Sequence, residues 1–251
     1  MNFSKPCWIL ADSHYICRIA WFGYLSPCVR LAVYLIEVVS RQSHPNRLDI
    51  FLYYSCTDGW ERIPFKNIYQ MKKSYLFLAE GFEEVEAVTV IDVLRRAGLP
   101  LVTVSISDSQ TVCGAHGIAV EADVLFSETT FDDAEWLILP GGMPGTTHLS
   151  ECEPLCDLLK SHARSGKPMA AICAAPSVFG QLGLLSGRRA TCYPGFEPML
   201  AGAEVAAERV VTDGNIVTGN GPASALPFAL AIAASAVGET VAQEVAAGML
   251  V

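Results

Sequence analysis

Residues 1–70 contain no apolar stretch long enough to cross a bilayer, which takes about 20 residues in a helix. The longest uncharged run in this segment, 19–29, has eleven residues. Asp12 and Arg18 interrupt any signal-peptide core, and no small-residue cleavage site follows them. We therefore expect neither a spanning helix nor a secretory signal here. We likewise expect no membrane segment in residues 71–251. The expected location of the protein is the cytoplasm.

The chain also lacks an excess of positive charge. It has 17 Lys and Arg against 26 Asp and Glu, for a net charge of −9. Residues 71–251 are more acidic still, with ten basic and twenty-one acidic side chains and a net charge of −11. An acidic domain is a poor platform for nucleic acid, and no glycine-rich phosphate loop with a lysine is present. We expect no nucleic-acid partner and no cofactor.

The composition of the chain changes near Met71. Residues 1–70 hold three of the four tryptophans and four of the nine cysteines, with a net charge of +2. This segment has three interpretations: a small cysteine-bearing domain, a membrane-associated anchor, or sequence upstream of a true start at Met71. We favour the last, because residues 71–74 are typical of an N-terminus that runs into a strand. The remaining 181 residues are enough for one domain.

Downstream of Met71, apolar segments with strand character alternate with segments of helical period. The sequence predicts strands at 75–79, 101–106, 136–140 and 169–172, a hairpin at 210–218, and helices at 83–97, 150–163, 223–237 and 239–247. This alternation predicts an α/β fold with a mostly parallel sheet covered by helices on both faces. A reactive site is expected beyond the carboxyl ends of the strands, where the strand order switches.

Cys173 lies at a sharp turn between the predicted strand 169–172 and a helix that begins at Pro176. This is the arrangement of a nucleophile elbow, in which free N–H groups and the positive end of a helix favour the thiolate. The alternative interpretation is a small buried thiol that fills the core.

Two further loops converge on the same edge of the predicted sheet. The N–H groups of Gly142 and Ala174 can face one oxygen and form an oxyanion hole, although Gly141 and Gly142 are also typical of a tight turn. Glu86 follows Val85 at the start of the predicted helix 83–97. A buried, protonated Glu86 can donate to the thiolate of Cys173 and tune its pKa.

The cysteines of residues 71–251 show no spacing typical of a disulfide framework, which favours a reducing compartment. His148, Cys152 and Cys156 are spaced four apart and resemble one face of a metal site. However, a capping-box pattern predicts that the helix begins at Ser150, so that His148 lies outside it. We therefore predict no metal site.

Five motifs in this order resemble the ThiJ/PfpI (DJ-one/PfpI) superfamily, in its deglycase and ThiJ-like bacterial branch. They are A-E-G-F-E-E-V-E-A-V at 79–88, D-V-L-R-R-A-G at 92–98, L-P-G-G-M-P-G at 139–145, A-A-I-C-A-A-P at 170–176 and G-P-A-S-A-L-P-F-A-L at 221–230. The resemblance implies a flavodoxin-like three-layer sandwich and a homodimer. It also implies that Cys173 is the reactive cysteine, Glu86 the carboxyl bonded to it, and Gly142 and Ala174 the oxyanion donors.

The sequence departs from the superfamily where a histidine is expected. Ala174 follows the cysteine where one branch has histidine, and Tyr193 stands where the deglycase branch often has one. All five histidines precede Cys173. His116, in the loop 114–117, is the one most able to approach the site.

The resemblance implies a low-turnover enzyme, a deglycase or a cofactor-independent glyoxalase, that acts on methylglyoxal-type carbonyls or their glycated adducts. One alternative is a non-catalytic redox sensor or chaperone-like protein that responds to oxidation of Cys173. A second alternative, thiazole monophosphate biosynthesis, follows from family naming alone.

Overall fold

The chain divides into two units, Met1–Met71 and Lys72–Val251. A computed structural model describes all residues from 72 to 251 and, before them, the backbone of the five strands between residues 7 and 64. The proposed start at Met71 lies outside the described residues.

The first unit contains a five-stranded antiparallel sheet in which each strand pairs with the next along the chain. Its strands are β1 (Cys7–Ala11), β2 (His14–Gly23), β3 (Ala32–Arg41), β4 (His44–Cys56) and β5 (Gly59–Pro64). The sequence of this segment shows no clean period and predicts no element here. The strands are rich in β-branched and aromatic residues, but they lack the alternation of apolar and polar residues that identifies a half-buried strand.

The second unit is built on a seven-stranded sheet of order β10-β7-β6-β11-β12-β16-β15. All neighbours are parallel except β15 and β16, which form the predicted hairpin. The strands of this unit are β6 (Lys73–Leu78), β7 (Leu101–Ser105), β8 (Thr111–Cys113), β9 (Ala119–Glu121), β10 (Val124–Leu125), β11 (Ala134–Leu139), β12 (Met169–Ile172), β13 (Arg189–Ala190), β14 (Glu204–Val205), β15 (Val210–Asp213) and β16 (Ile216–Gly219). β8 and β9 form a small antiparallel ribbon, and β13 and β14 a short parallel pair.

Helices cover both faces of this sheet. They are α1 (Glu84–Arg96), α2 (Gly145–Glu151), α3 (Glu153–Arg164), α4 (Pro176–Gln181), α5 (Ala225–Val237) and α6 (Glu239–Gly248), with short 3-10 turns at Phe126–Glu128, Glu197–Met199 and Pro222–Ser224. Side chains of a strand alternate between faces, so Leu76 and Leu78 of β6 pack with α1, α5 and α6, whereas Tyr75 and Phe77 pack with α2, α3 and α4. The predicted three-layer, flavodoxin-like sandwich is confirmed.

The prediction that a single helix begins at Ser150 is wrong. The structure has two helices, α2 and α3, with a break at Cys152, where ψ is 90°. The capping box does not form, because the Ser150 hydroxyl donates to the carbonyl of Thr147 at 2.8 Å. His148 consequently lies inside α2. No helix within residues 72–251 is both long and apolar enough to cross a membrane.

Candidate functional site

The predicted site residues lie at the carboxyl ends of three neighbouring strands. β6 has β7 on one side and β11 on the other, so the strand order switches between β6 and β11. Gly141 and Gly142 follow β11, Cys173 follows β12, and Glu86 lies in the first turn of α1, after β6. The topology therefore brings the three loops named by the sequence to one edge of the sheet.

The turn at Cys173 has the backbone conformation of an elbow. Its φ is 65°, in the left-handed region that residues other than glycine rarely adopt. The N–H of Cys173 donates to the carbonyl of Gly219 at 2.9 Å, and its carbonyl accepts from the N–H of Tyr193 at 2.7 Å. α4 begins three residues later at Pro176, as predicted. A strained conformation persists only where its surroundings hold it, and here β16 and the segment of Tyr193 do so.

Glu86 supplies a buried carboxyl beside the thiol. Its side chain is fully buried, and Oε2 accepts the N–H of Gly141 at 2.8 Å. Oε1 is buried and has no hydrogen-bond partner, and the Cys173 side chain lies close enough to lower the pKa of the carboxyl. Burial raises the pKa of Glu86 to about 7, against the lowering effect of the Gly141 N–H. This carboxyl can therefore hold or release a proton near neutral pH.

Gly141 is required by the close approach of the thiol and the carboxyl. A Cβ at this position would lie 2.5 Å from Cβ of Cys173 and 2.7 Å from Oε2 of Glu86. Neither neighbour can withdraw easily, because both belong to buried, hydrogen-bonded segments. The glycine thus makes room for the Cys173–Glu86 pair.

Gly142 adopts a φ of 93°, and a Cβ there would collide with the backbone of residues 81–83. Its N–H and that of Ala174 lower the pKa of the Cys173 thiol, because a nearby donor favours the thiolate. The two donors predicted from the sequence therefore lie near the thiol.

The net pKa of Cys173 differs from the expectation based on the turn alone. Burial, followed by the charge of Glu86, raises the pKa of the Cys173 thiol to about 12 and outweighs the two N–H groups. A negative carboxylate beside the sulfur opposes a second negative charge. Protonation of Glu86 removes that repulsion and turns the carboxyl into a donor, so the thiolate is less disfavoured when Glu86 carries the proton.

His116 does not contact the thiol among the hydrogen bonds of residues 72–251. Its Nδ1 lies 2.9 Å from Oε2 of Glu84, and its N–H donates to Oε1 of Glu84 at 2.7 Å. The Glu84 side chain raises the pKa of His116. The spacing of residues in the sequence does not predict this pairing, because it depends on the β8–β9 ribbon lying against the start of α1. The buried Glu84 carboxylate therefore binds the loop 114–118.

Tyr193 does approach the site. Its N–H binds the Cys173 carbonyl, as described above, and its side chain is half-exposed, whereas Cys173 is buried.

Within residues 72–251, the side chains of Glu83, Glu84 and His116 form the one group of three potential metal ligands, with ligand atoms within 4.8 Å of one another. Glu84 already accepts two N–H groups and the His116 ring, which leaves its carboxylate occupied. His148, Cys152 and Cys156 do not form such a group in this part of the chain.

Comparison with known proteins identifies the family. Residues 72–235 match the DJ-1/PfpI family. The chain is 42% identical over 176 residues to Protein DJ-1 homolog B of Arabidopsis thaliana, a match that covers 69% of this chain but 40% of that protein. It is 37% identical over 182 residues to Protein dj-1beta of Drosophila melanogaster, covering 72% of this chain and 97% of that protein. Glutathione-independent glyoxalase DJR-1.2 of Caenorhabditis elegans is 33% identical over 165 residues, covering 64% of this chain and 87% of that protein.

Solved structures show the same fold. The oxidized DJ-1 of Toxoplasma gondii superposes with a TM-score of 0.69 at 37% identity, covering 71% of this chain and 97% of that one. The crystal structure of Drosophila melanogaster DJ-1beta gives a TM-score of 0.68 at 37% identity, covering 72% of this chain and 99% of that one.

Proposed function

The chain belongs to the DJ-1/PfpI family, and from this premise we propose that it is a cysteine-dependent enzyme acting on small reactive carbonyls such as methylglyoxal, or on their glycated adducts. The observation that carries the proposal is the pairing of the Cys173 thiol with the buried Glu86 carboxyl, beside two N–H groups. A relative named as a glutathione-independent glyoxalase supports this substrate class.

The first step is addition of the thiol to the aldehyde. The S–H proton passes to Glu86 as the sulfur attacks the carbonyl carbon; the C–S bond forms and the C=O π pair moves to oxygen. The N–H groups of Gly142 and Ala174 bind that oxygen while it is negative. Glu86 then donates its proton to the oxygen, which gives a neutral hemithioacetal and restores the carboxylate.

The second stage moves hydrogen within the substrate. Glu86 takes the C–H proton of the hemithioacetal carbon, and the electron pair of that bond moves to the neighbouring carbonyl and gives an enediolate. The hydroxyl proton of the first carbon passes to the oxygen of the second, and Glu86 returns its proton to the second carbon. The first carbon is thereby oxidised to a thioester and the second reduced to an alcohol. Water then cleaves the thioester, releases a 2-hydroxy acid and restores the thiol. Oxidation and reduction balance inside one molecule, so the step consumes no external electron acceptor.

The test is methylglyoxal consumption by wild type, Cys173→Ser and Glu86→Gln, with Cys113→Ser as the control for an exposed thiol. We expect Cys173→Ser to abolish turnover and Cys113→Ser to leave it unchanged. Glu86→Gln should lower turnover about 100- to 10,000-fold, the usual contribution of one acid–base group. Equal consumption by all four proteins would refute the proposal.

Labelling of the same variants separates nucleophilicity from proton transfer. Removal of the Glu86 charge should lower the pKa of Cys173, since that carboxylate raises it. Alkylation of Cys173 by iodoacetamide at neutral pH should therefore be faster in Glu86→Gln although turnover is slower. Turnover that rises together with alkylation would mean that Glu86 transfers no proton.

A redox sensor is the second candidate, favoured by one observation. The unpartnered Oε1 of Glu86 and the N–H groups of Gly142 and Ala174 belong to the groups that act on the Cys173 thiol, and they can bind sulfinate oxygens. Hydrogen peroxide would oxidise the thiol in two steps, each adding one oxygen and releasing one water. A protein without carbonyl turnover that gains two oxygens at Cys173 would support this candidate.

We also propose a homodimer in a reducing compartment such as the cytoplasm. Val85 and Val88 on α1 and the nearby Ile118 are apolar and exposed, which is typical of an interface. The cysteines within residues 72–251 are all free. Light scattering should give twice the chain mass for wild type and a smaller mass for Val85→Lys; one chain mass for wild type would contradict the proposal.

A further inference from the structure

Tyr193 combines contact with the Cys173 peptide and exposure to solvent. Its N–H donates to the Cys173 carbonyl at 2.7 Å. Its side chain is 46% exposed, whereas Cys173 is 8% exposed. Tyr193 therefore joins the peptide of the buried cysteine to an exposed side chain.

The ring of Tyr193 is fixed against a second segment of the site. A Cβ on Gly221 would lie 3.2 Å from Cδ2 and 3.6 Å from Cε2 of the ring, so the ring packs on the Cα of Gly221. Gly221 follows β16, whose last residue, Gly219, accepts the N–H of Cys173. The ring thus packs from one of the two segments that bind the Cys173 peptide onto the other.

The other residues around the thiol offer little surface for a substrate substituent. Gly141, Gly142 and Gly219 have no side chain, and Ala174 has a single methyl group. Tyr193 adds an exposed aromatic ring on the segment that binds the Cys173 carbonyl, and aromatic groups prefer to stack on one another beyond the gain from simple burial.

We propose that Tyr193 is a specificity-determining residue that makes the Cys173 site favour carbonyls with a flat apolar substituent, such as aryl α-oxoaldehydes, over methylglyoxal. The choice of carbonyl compounds as the substrates rests on the proposed function. The ring itself, rather than the hydroxyl, provides the preference, because the stacking surface is the ring face.

The first experiment uses two alkylating reagents that differ only by an aryl group, iodoacetamide and iodoacetanilide. Mass spectrometry gives the rate ratio, anilide over amide, at Cys173 and at the exposed Cys113 of the same full chain. Thiolate content cancels in each ratio, and Cys113 corrects for the intrinsic reactivity of the reagents. We expect the ratio at Cys173 to exceed that at Cys113 about two- to tenfold.

Variants of Tyr193 assign the effect. Tyr193→Phe keeps the ring and should keep the elevated ratio, whereas Tyr193→Ala should bring it down to that of Cys113. Tyr193→Leu fills the space without a ring and serves in place of the alanine variant if the latter fails to fold. An equal ratio at the two cysteines of wild type, or an elevated ratio that survives in Tyr193→Leu, would overturn the proposal.

The second experiment compares KM and kcat for phenylglyoxal and methylglyoxal. The preference should appear in KM, about two- to tenfold lower for phenylglyoxal in wild type and Tyr193→Phe, and vanish in Tyr193→Leu. The labelling ratio requires no turnover. If neither aldehyde is consumed while the labelling ratio behaves as expected, the proposed function fails and the assignment of Tyr193 as an aryl-binding wall stands. If both aldehydes are consumed with equal KM, the assignment fails and the proposed function stands.

Discussion

The stability of the unit Lys72–Val251 should depend on pH through Glu86. Burial raises the pKa of Glu86 from 4.5 to about 7 in the folded chain. Between those pH values the folded chain holds a proton that the unfolded chain has lost. The free energy of unfolding must therefore fall as the pH rises through this window.

The size of the effect follows from the shift. A change from 4.5 to about 7 corresponds to about 3 kcal/mol, because each pKa unit is worth about 1.4 kcal/mol. The stabilising contribution of Glu86 is complete below pH 4.5 and lost above its folded pKa. Glu86→Gln keeps an acceptor for the Gly141 N–H but does not ionise. The free energy of unfolding of this variant, relative to wild type, should rise by about 3 kcal/mol across the window.

The assay must report on this unit alone, because the chain has a second one. Cys192 is buried and lies within Lys72–Val251, so it becomes accessible to a thiol reagent when the unit unfolds. The full chain is equilibrated in urea at a series of pH values and then labelled briefly at one fixed pH. The exposed carboxyl of Glu151 provides the control variant, Glu151→Gln. Parallel stability curves for wild type and Glu86→Gln would refute the reasoning.

Three further predictions concern the fold. A chain that begins at Met71 should be soluble and unfold cooperatively; an insoluble product beside a well-folded full chain would contradict this. Gly141→Ala should lower the free energy of unfolding by about 1–3 kcal/mol through overpacking and abolish turnover. Gly248→Ala is the control, because a Cβ there meets nothing within 4 Å, and it should change the Tm no more than an ordinary surface substitution does. Burial lowers the pKa of His162 below 6.5, so the unfolded chain binds a proton more readily than the folded chain and acid favours unfolding. The substitution His162→Gln should therefore reduce the fall in Tm between about pH 7 and 5. An unchanged fall in Tm would contradict this.

Local signals in the sequence were enough to place the main elements of the second unit. The predicted strand at 169–172 coincides with β12, and the helix after Cys173 begins at Pro176 as expected. Gly214-Asn215 forms the tip of the predicted hairpin, between the paired residues Asp213 and Ile216. Such features depend on residues close in the chain, namely proline at a helix start and a glycine with asparagine in a tight turn.

Features set by distant residues were not predictable in this way. The break at Cys152 separates α2 from α3 despite a sequence pattern typical of a helix cap, since such a local preference is weak and tertiary context can override it. The pairing of His116 with Glu84 requires the β8–β9 ribbon to lie along the start of α1. Neither is visible in the spacing of residues.

The sequence by itself determined the alternation of strands and helices, the turn at Cys173 and the set of residues around it. The tertiary structure alone decided the charge state of the site. A helix end and free N–H groups favour the thiolate locally, yet the burial of Cys173 and the nearby Glu86 carboxylate raise its pKa to about 12. Burial and the approach of Glu86 to Cys173 arise only when β6, β11 and β12 lie side by side, because desolvation is a property of the assembled core rather than of any segment.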